Sequence, residues 1–323
     1  MRNIKIGVIG CANVAERLMI PAIKATDGFD LVAVASRTKE KAASFANKFS
    51  CEAVVDYSNL INRDDIDAVY IPLPTGLHEQ WIMRALKNGK HVLSEKSMTT
   101  SYEATKRVIN EAEARQLLVM EDFMFPYHRQ HAFVEKLIGD GKIGDIRFMK
   151  SAFGFPPRGL DDIRYNKNLG GGALLDAGGY VVKAVQLFLG PDLHIGGAFL
   201  KYDNQLDVDI YGGSIMSNDK EQIAHVSFSF DNYYQCVYEI WGTKGKITAD
   251  RAFTPPPNFA PTIVLENQNH RQEFVINPDN HFANILKEFY RSVKEKDFHG
   301  HWKDVLLQAQ LLEEIKEESA KQN

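Results

Sequence analysis

Along the first 120 residues, short β-branched and apolar runs alternate with stretches whose apolar residues recur at helical spacing. The runs fall at 4–9, 31–35, 68–71, 91–93 and 117–120, and the helical stretches at 14–25, 39–49, 78–87 and 102–114. Continuous apolar strands separated by helices of about 10–15 residues predict a parallel sheet covered on both faces. Right-handed crossovers make this a doubly wound α/β domain.

After about Phe125 the rhythm changes. A helix over 130–138 ends at Gly139-Asp140-Gly141, and a strand follows at 146–153. A Gly/Pro-rich segment then leads to a helix over 172–188. Further strands are predicted at 207–216, 222–230, 235–241, 246–249, 262–266 and 273–276, before two amphipathic helices over 282–294 and 302–319. Strand after strand without intervening helices predicts an α+β domain with an open, mostly antiparallel sheet. The chain is therefore divided into domains 1–122 and 123–323, with no internal repeat.

Composition narrows the partners. The 323 residues carry 38 Lys plus Arg against 42 Asp plus Glu, a net charge of −4, which gives no electrostatic footprint for nucleic acid. At 44% hydrophobic residues the chain is an ordinary globular one. No apolar run approaches the roughly 18–20 residues needed to span a bilayer. The N-terminus leads straight into a strand with no signal-peptide pattern. Cys11, Cys51 and Cys236 are too few and too scattered for a disulfide framework or a zinc site. A cytoplasmic protein with no membrane, nucleic-acid or metal partner is expected.

The first strand runs into Gly10-Cys11-Ala12-Asn13-Val14-Ala15 and then a helix. That is where a dinucleotide fingerprint belongs: a tight turn, backbone close to pyrophosphate, and a helix N-terminus aimed at the anion. Ala12 stands where the G-x-G-x-x-G/A pattern has its second glycine. The second strand ends in Ser36-Arg37-Thr38. A hydroxyl plus a guanidinium, without the carboxylate that binds the NAD ribose, suits the 2′-phosphate of NADP(H). The expected architecture is accordingly an N-terminal Rossmann domain followed by the α+β domain. Cys11 reads as a small loop residue and not as a nucleophile.

Two further segments carry chemistry. One is Pro72-Leu73-Pro74-Thr75-Gly76-Leu77-His78 together with Glu95-Lys96-Ser97; the other is the Gly-rich stretch that runs through Asp176 to Tyr180. Lys96 follows a buried strand, at the sheet's carboxyl edge where ligands bind. Asp176 and Tyr180, four apart on a helix, project from one face. Tyr can protonate a forming alkoxide, and Lys⁺ can stabilise that charge or lower the Tyr pKa.

The loop 10–15, the Pro-x-Pro-Thr-x-x-His stretch at 72–78, Glu95-Lys96 and the segment 170–180, in this order over nearly the whole chain, resemble the glucose–fructose oxidoreductase/inositol dehydrogenase (Gfo/Idh/MocA) family. The resemblance implies hydride transfer between a nicotinamide and a sugar, polyol or related carbonyl/alcohol pair. It places the family's catalytic lysine on Lys96, its downstream aspartate on Asp176, and its His/Tyr position on Tyr180. Tyr there points to the dihydrodiol dehydrogenase and sugar 3-ketoreductase branch, in which Ala12 is also at home. The family's proline after the lysine is Ser97 here, which leaves the backbone presenting Lys96 freer.

On this reading Gly10, Cys11, Ala12, Asn13, Val14, Ser36, Arg37, Pro72, Leu73, Thr75, His78, Glu95 and Lys96 bind the cofactor. Lys96, Tyr127, Arg158, Arg164, Asp176 and Tyr180 face the substrate, which is an aldose, a dihydrodiol or a nucleotide-linked keto-sugar. Lys167 adds to the basic set, and Thr254-Pro255-Pro256-Pro257 is a candidate for the rim. A non-catalytic NADP-binding sensor of the same fold is the alternative. His128 and His131 read as helix-surface histidines and His299-Gly300-His301 as a helix–helix turn. Tyr211, Phe228, Phe230, Tyr233 and Tyr234 are expected on an open sheet face that makes a homo-oligomer.

Overall fold

The computed structural model describes residues 2–321. The described residues form two compact units: 2–123 with Phe282–Ala309, and Met124–His281 with 310–321.

The first unit is built on six parallel strands: β1 (Ile4–Ile9), β2 (Phe29–Ser36), β3 (Glu52–Val55), β4 (Ala68–Ile71), β5 (His91–Ser94) and β6 (Val119–Glu121). Their order is β3-β2-β1-β4-β5-β6, the doubly wound arrangement, with its switch point between β1 and β4. β4 is buried at every position, as a central strand covered on both faces must be. β3 and the short helix Tyr57–Ile61 are absent from the sequence expectation, because β3 is a four-residue edge strand with mostly exposed side chains and an apolar run of only three residues, Ala53-Val54-Val55.

The sequence division at 122 gave 282–309 to the second domain, whereas the structure returns that stretch to the first unit. The reason is aromatic packing. Phe29 of β2 meets Phe289 and Tyr290 with ring centroids at 6.4 and 5.9 Å, and His91 of β5 meets Phe298 at 5.7 Å. Lys294 Nζ also donates to Arg2 O at 2.7 Å, which ties the returning helix to the start of the chain.

The second unit holds eight strands: β7 (Ile146–Gly154), β8 (Leu193–Tyr202), β9 (Asp209–Asn218), β10 (Ile223–Ser229), β11 (Gln235–Gly242), β12 (Gly245–Asp250), β13 (Thr262–Asn267) and β14 (His270–Val275). In the order β14-β13-β12-β11-β7-β10-β9-β8, only β7 and β10 pair in parallel. β8 escaped the sequence reading because Gly196-Gly197 interrupts its alternation. One face of the sheet carries the helix Gly179–Leu189, which is buried on nearly all sides and packs on β7 and β10. The stretch Lys167–Leu189 is long and apolar enough to cross a membrane by composition, yet 72% of its apolar window is buried inside this unit, as in the core helix of a globular fold. On the other face Phe148, Phe199, Tyr211 and Ile215 are exposed. Phe228 and Phe230 are not on that face. They are buried, Phe230 stacked on Phe155 at 5.2 Å, because strand alternation turns Phe228 to the helix-covered side.

Candidate functional site

In the first unit the predicted residues collect at the carboxyl ends of β1, β2, β4 and β5, around the switch point. Gly10 ends β1 with φ +118°, a conformation an L side chain rarely adopts, and a Cβ there would lie 2.7 Å from Leu73 Cδ2. The structure thus brings the β1 and β4 loops together, and glycine is what lets them meet. Cys11, Ala12 and Val14 are half-buried and Asn13 is exposed, and the chain is helical over 13–25 with a π-type widening at Ala15–Met19. A helix that starts here, with its first backbone N–H groups unpaired within the helix, suits a pyrophosphate. Burial pushes the Cys11 thiol up, so the residue stays a small neutral one.

At the end of β2, Ser36 is buried and Arg37 is exposed, with its guanidinium beside the Tyr57 hydroxyl. Tyr57 is itself fixed edge-on to Trp81 at 5.0 Å. An exposed guanidinium held beside a tyrosine hydroxyl fits a 2′-phosphate. The chain's residues therefore fit an NADP(H) dinucleotide.

His78 takes another role than the cofactor contact expected of it. The side chain has no exposed surface, and its ring lies between two carbonyl oxygens, Nδ1 2.9 Å from Ser97 O and Nε2 2.7 Å from Leu73 O. Complete burial holds its pKa below the ordinary histidine value. His78 thus joins the β4 loop to the segment that carries Lys96. The same segment is held from below: Met98 N–H donates to Glu121 Oε1 at 2.6 Å, and Tyr70 Oη–H donates to Glu95 Oε1 at 2.6 Å. The Lys96–Ser97 peptide is cis.

In the second unit Tyr180 is 6% exposed and sits among three aromatic rings, Phe153 at 5.0 Å, Phe253 at 5.8 Å and Phe125 at 6.0 Å. Tyr127 is half-buried in the 3-10 turn Phe125–Tyr127. The two arginines expected alike at the substrate side differ. Arg164 Nε donates to Asp176 Oδ2 at 2.5 Å and its Nη1 to Asp162 Oδ1 at 3.0 Å, so it is committed to carboxylates of its own unit. Arg158 is exposed over the Phe155 ring at 5.1 Å, and its nearest carboxylate, Asp162, is 3.9 Å away. Arg158 therefore presents a cation to solvent, while Arg164 orients Asp176. Lys167 is paired with Asp207.

Asp209 was not singled out in the sequence. It is 8% exposed, and its Oδ2 accepts from Leu174 N–H at 2.6 Å, anchoring the start of the segment that bears Asp176 and Tyr180. Gly172, at φ +121°, passes so close that a Cβ would strike Asp209 Oδ1. An acid inside the apolar run Val208–Tyr211 is the signal that could have found it. The same holds for Glu121 and Asp122, which follow the apolar run of β6 directly.

His128 and His131 are buried and not on the helix surface. His131 lies between Tyr238 Oη and Ala252 O, each at 3.0 Å, and His128 meets the His281 ring at 5.7 Å. Burial pushes His131 and His281 down to about 3 each, so the cluster is neutral at physiological pH. Among the described residues no group of His, Cys, Asp and Glu could hold a metal ion.

Comparison with known proteins supplies the context. Residues 4–123 match the model of the Gfo/Idh/MocA oxidoreductase family with an NAD-binding Rossmann fold, and residues 131–248 match the family's C-terminal domain. A dTDP-3,4-didehydro-2,6-dideoxy-alpha-D-glucose 3-reductase from Actinomadura kijaniata is 40% identical over 97% of this chain and 95% of its own. A D-xylose 1-dehydrogenase (NADP(+)) from Haloferax volcanii is 32% identical over 89% of this chain and 88% of its own. The crystal structure of a 3-ketoreductase from Actinomadura kijaniata in complex with NADP and TDP-benzene superposes with a TM-score of 0.95 at 39% identity, covering 98% of each chain. Solved variants of that 3-ketoreductase replace a lysine and a tyrosine 84 positions apart, which is also the spacing from Lys96 to Tyr180. The chain belongs to the Gfo/Idh/MocA oxidoreductase family and is an NADP(H)-dependent enzyme that transfers hydride between nicotinamide and a sugar-like hydroxyl or ketone.

Proposed function

We propose that the chain reduces the 3-keto group of a dTDP-linked deoxysugar. The observation that carries this reading is the 40% identity over 97% of the chain to an enzyme named for that reaction, with Lys and Tyr retained at the same spacing as in the solved relative. The bound cofactor supplies the hydride. The chain's own residues supply charge, orientation and the proton. Tyr180 of the second unit is the group suited to give a proton to a ketone oxygen as the alcohol forms, and the Lys96 ammonium of the first unit is the group suited to stabilise developing negative charge. Asp176, held by Arg164, accepts from a sugar hydroxyl and fixes the ring's orientation. Arg158, exposed above Phe155, is suited to the diphosphate of a nucleotide-linked substrate.

The exposed Phe148, Phe199, Tyr211 and Ile215 support a homo-oligomer built on the open sheet face. Three free cysteines support a reducing cytoplasm.

The test is NADPH oxidation against a panel containing a dTDP-linked 3-keto-deoxysugar, free aldoses and a trans-dihydrodiol. Turnover with the nucleotide-linked ketone is expected to exceed that with free sugars. NADP⁺-dependent aldose oxidation with no activity on the nucleotide-linked ketone would replace this reading with the xylose-dehydrogenase type. Lys96→Met is expected to lower kcat a hundredfold or more, in the range of about 10²–10⁴ for lost proton-handling and charge stabilisation, with NADPH binding retained.

A further inference from the structure

Behind the strand end that presents Lys96 lies a carboxyl group with no assigned part. Asp122, directly after β6, is 1% exposed, and neither of its oxygens accepts a hydrogen bond from a donor. Its backbone is fixed by Asp122 N–H donating to Ser94 O at 2.8 Å. The charged groups that act on it are Glu95 and Glu121, both acidic, with Glu95 the stronger of the two. A carboxylate without donors, enclosed and facing two other acids, is driven to hold its proton: burial first, then Glu95 and Glu121, raise it well above the usual carboxylate range. A protonated Asp122 has one O–H to donate. Glu95, whose other partner is the Tyr70 hydroxyl, accepts it.

We infer that Asp122 is a positioning residue for the reaction: its carboxyl O–H holds the Glu95 carboxylate, and through it the backbone that presents Lys96. Contacts at three positions then brace that segment in sequence order. Asp122 and Tyr70 take Glu95, His78 takes the Ser97 carbonyl, and Glu121 takes the Met98 N–H. The bracing answers the question raised by Ser97, since side-chain contacts on both sides of Lys96 fix a backbone that lacks the family's proline. The inference rests on the reading of Lys96 as a catalytic group.

The experiment compares Asp122→Ala and Asp122→Asn, each alone and in the Lys96→Met background. Asp122→Ala removes the donor to Glu95. A displacement of about 1 Å costs about 10²-fold in rate, so kcat is expected to fall between tenfold and a hundredfold. NADPH affinity is expected to stay close to wild type, and Tm to fall by no more than the loss of the one hydrogen bond to Glu95 accounts for. Asp122→Asn keeps a donor, the Nδ2 amide, and is expected to restore kcat to within about threefold. In the Lys96→Met background, Asp122→Ala is expected to cost nothing further. The infrared difference between wild type and Asp122→Asn at mildly alkaline pH should show the carbonyl band of a protonated carboxyl.

Wild-type kcat in Asp122→Ala, equal losses in the alanine and asparagine variants, or no such carbonyl band would overturn the inference. So would a further loss in the Lys96→Met background. Full activity of Lys96→Met would instead remove the catalytic reading of Lys96, and the inference with it.

Discussion

Replacing Asp209 by Asn should change how stability depends on pH, and the structure sets both sign and size. Asp209 is nine-tenths buried at the start of β9, where Leu174 N–H and Ala173 N–H donate to its carboxylate. Burial nevertheless dominates those donors and raises the group from 3.8 to about 6. A folded-state pKa above the unfolded one means that the native state binds the proton more tightly. This contribution to stability is fully present below about pH 4 and lost as the pH rises through about 6. At about 1.4 kcal/mol per pH unit, that interval is worth about 3 kcal/mol. Asparagine cannot titrate. The stability of wild type relative to Asp209→Asn should therefore fall by about 3 kcal/mol between roughly pH 4 and pH 7, most of it between pH 4.5 and 6.5. Urea denaturation of both proteins at several pH values, followed by fluorescence, measures the difference. A difference that stays constant across this window, or that rises with pH, would refute the account of Asp209 as a carboxyl whose burial outweighs its hydrogen bonds.

Three other outcomes follow from the same contacts. Arg37→Ala should weaken NADPH binding by about 10- to 100-fold, the worth of one charge-assisted hydrogen bond of about 1.5–3 kcal/mol, and leave NADH binding unchanged; titration with each cofactor measures both. Arg164→Met should leave Asp176 without its 2.5 Å partner. Because both side chains are about a quarter exposed, the stability cost is discounted to about 1 kcal/mol, while kcat/KM falls about tenfold in steady-state kinetics with NADPH affinity unchanged. Gly172→Ala should destabilise by more than about 1–3 kcal/mol, since the new Cβ meets both an unfavourable φ and the Asp209 carboxylate, and thermal unfolding reads the loss.

Much of the first unit could be read from the chain because its strands are buried on both faces. Continuous apolar runs such as 68–71 announce themselves, and the glycine that ends β1 is demanded by its own φ. The parts that stayed hidden have weak local signals. β3 exposes its side chains at a sheet edge, and β8 carries two adjacent glycines, so neither shows a period of two. The return of 282–309 to the first unit was invisible for a different reason. Its helix shows an apolar face, but a face does not say which core it meets; Phe29 and His91, more than 200 residues away in sequence, decide that. The arginines at 158 and 164 illustrate the same limit at the site. Both sit in a loop with aspartates nearby, and only the fold determines that one guanidinium reaches Asp176 while the other faces water.

The polar residues the sequence misplaced share one physical cause. Polarity marks exposure because an unpaired polar group in a core costs free energy, and that inference fails wherever a distant segment supplies a partner. His131 has the spacing of a surface residue on its helix, yet Tyr238 and Ala252, more than 100 positions later, take both ring nitrogens, and the ring goes inside. His78 is the functional instance. Its place in a Pro-x-Pro-Thr-x-x-His pattern suggested contact with the cofactor, but the Leu73 and Ser97 carbonyls accommodate the ring on the protein side of the loop. His78 thus serves by what it holds in place. For this chain that is the segment bearing Lys96, so substituting His78 should lower kcat, by way of the charge stabilisation proposed for Lys96, before it weakens NADPH binding in a titration.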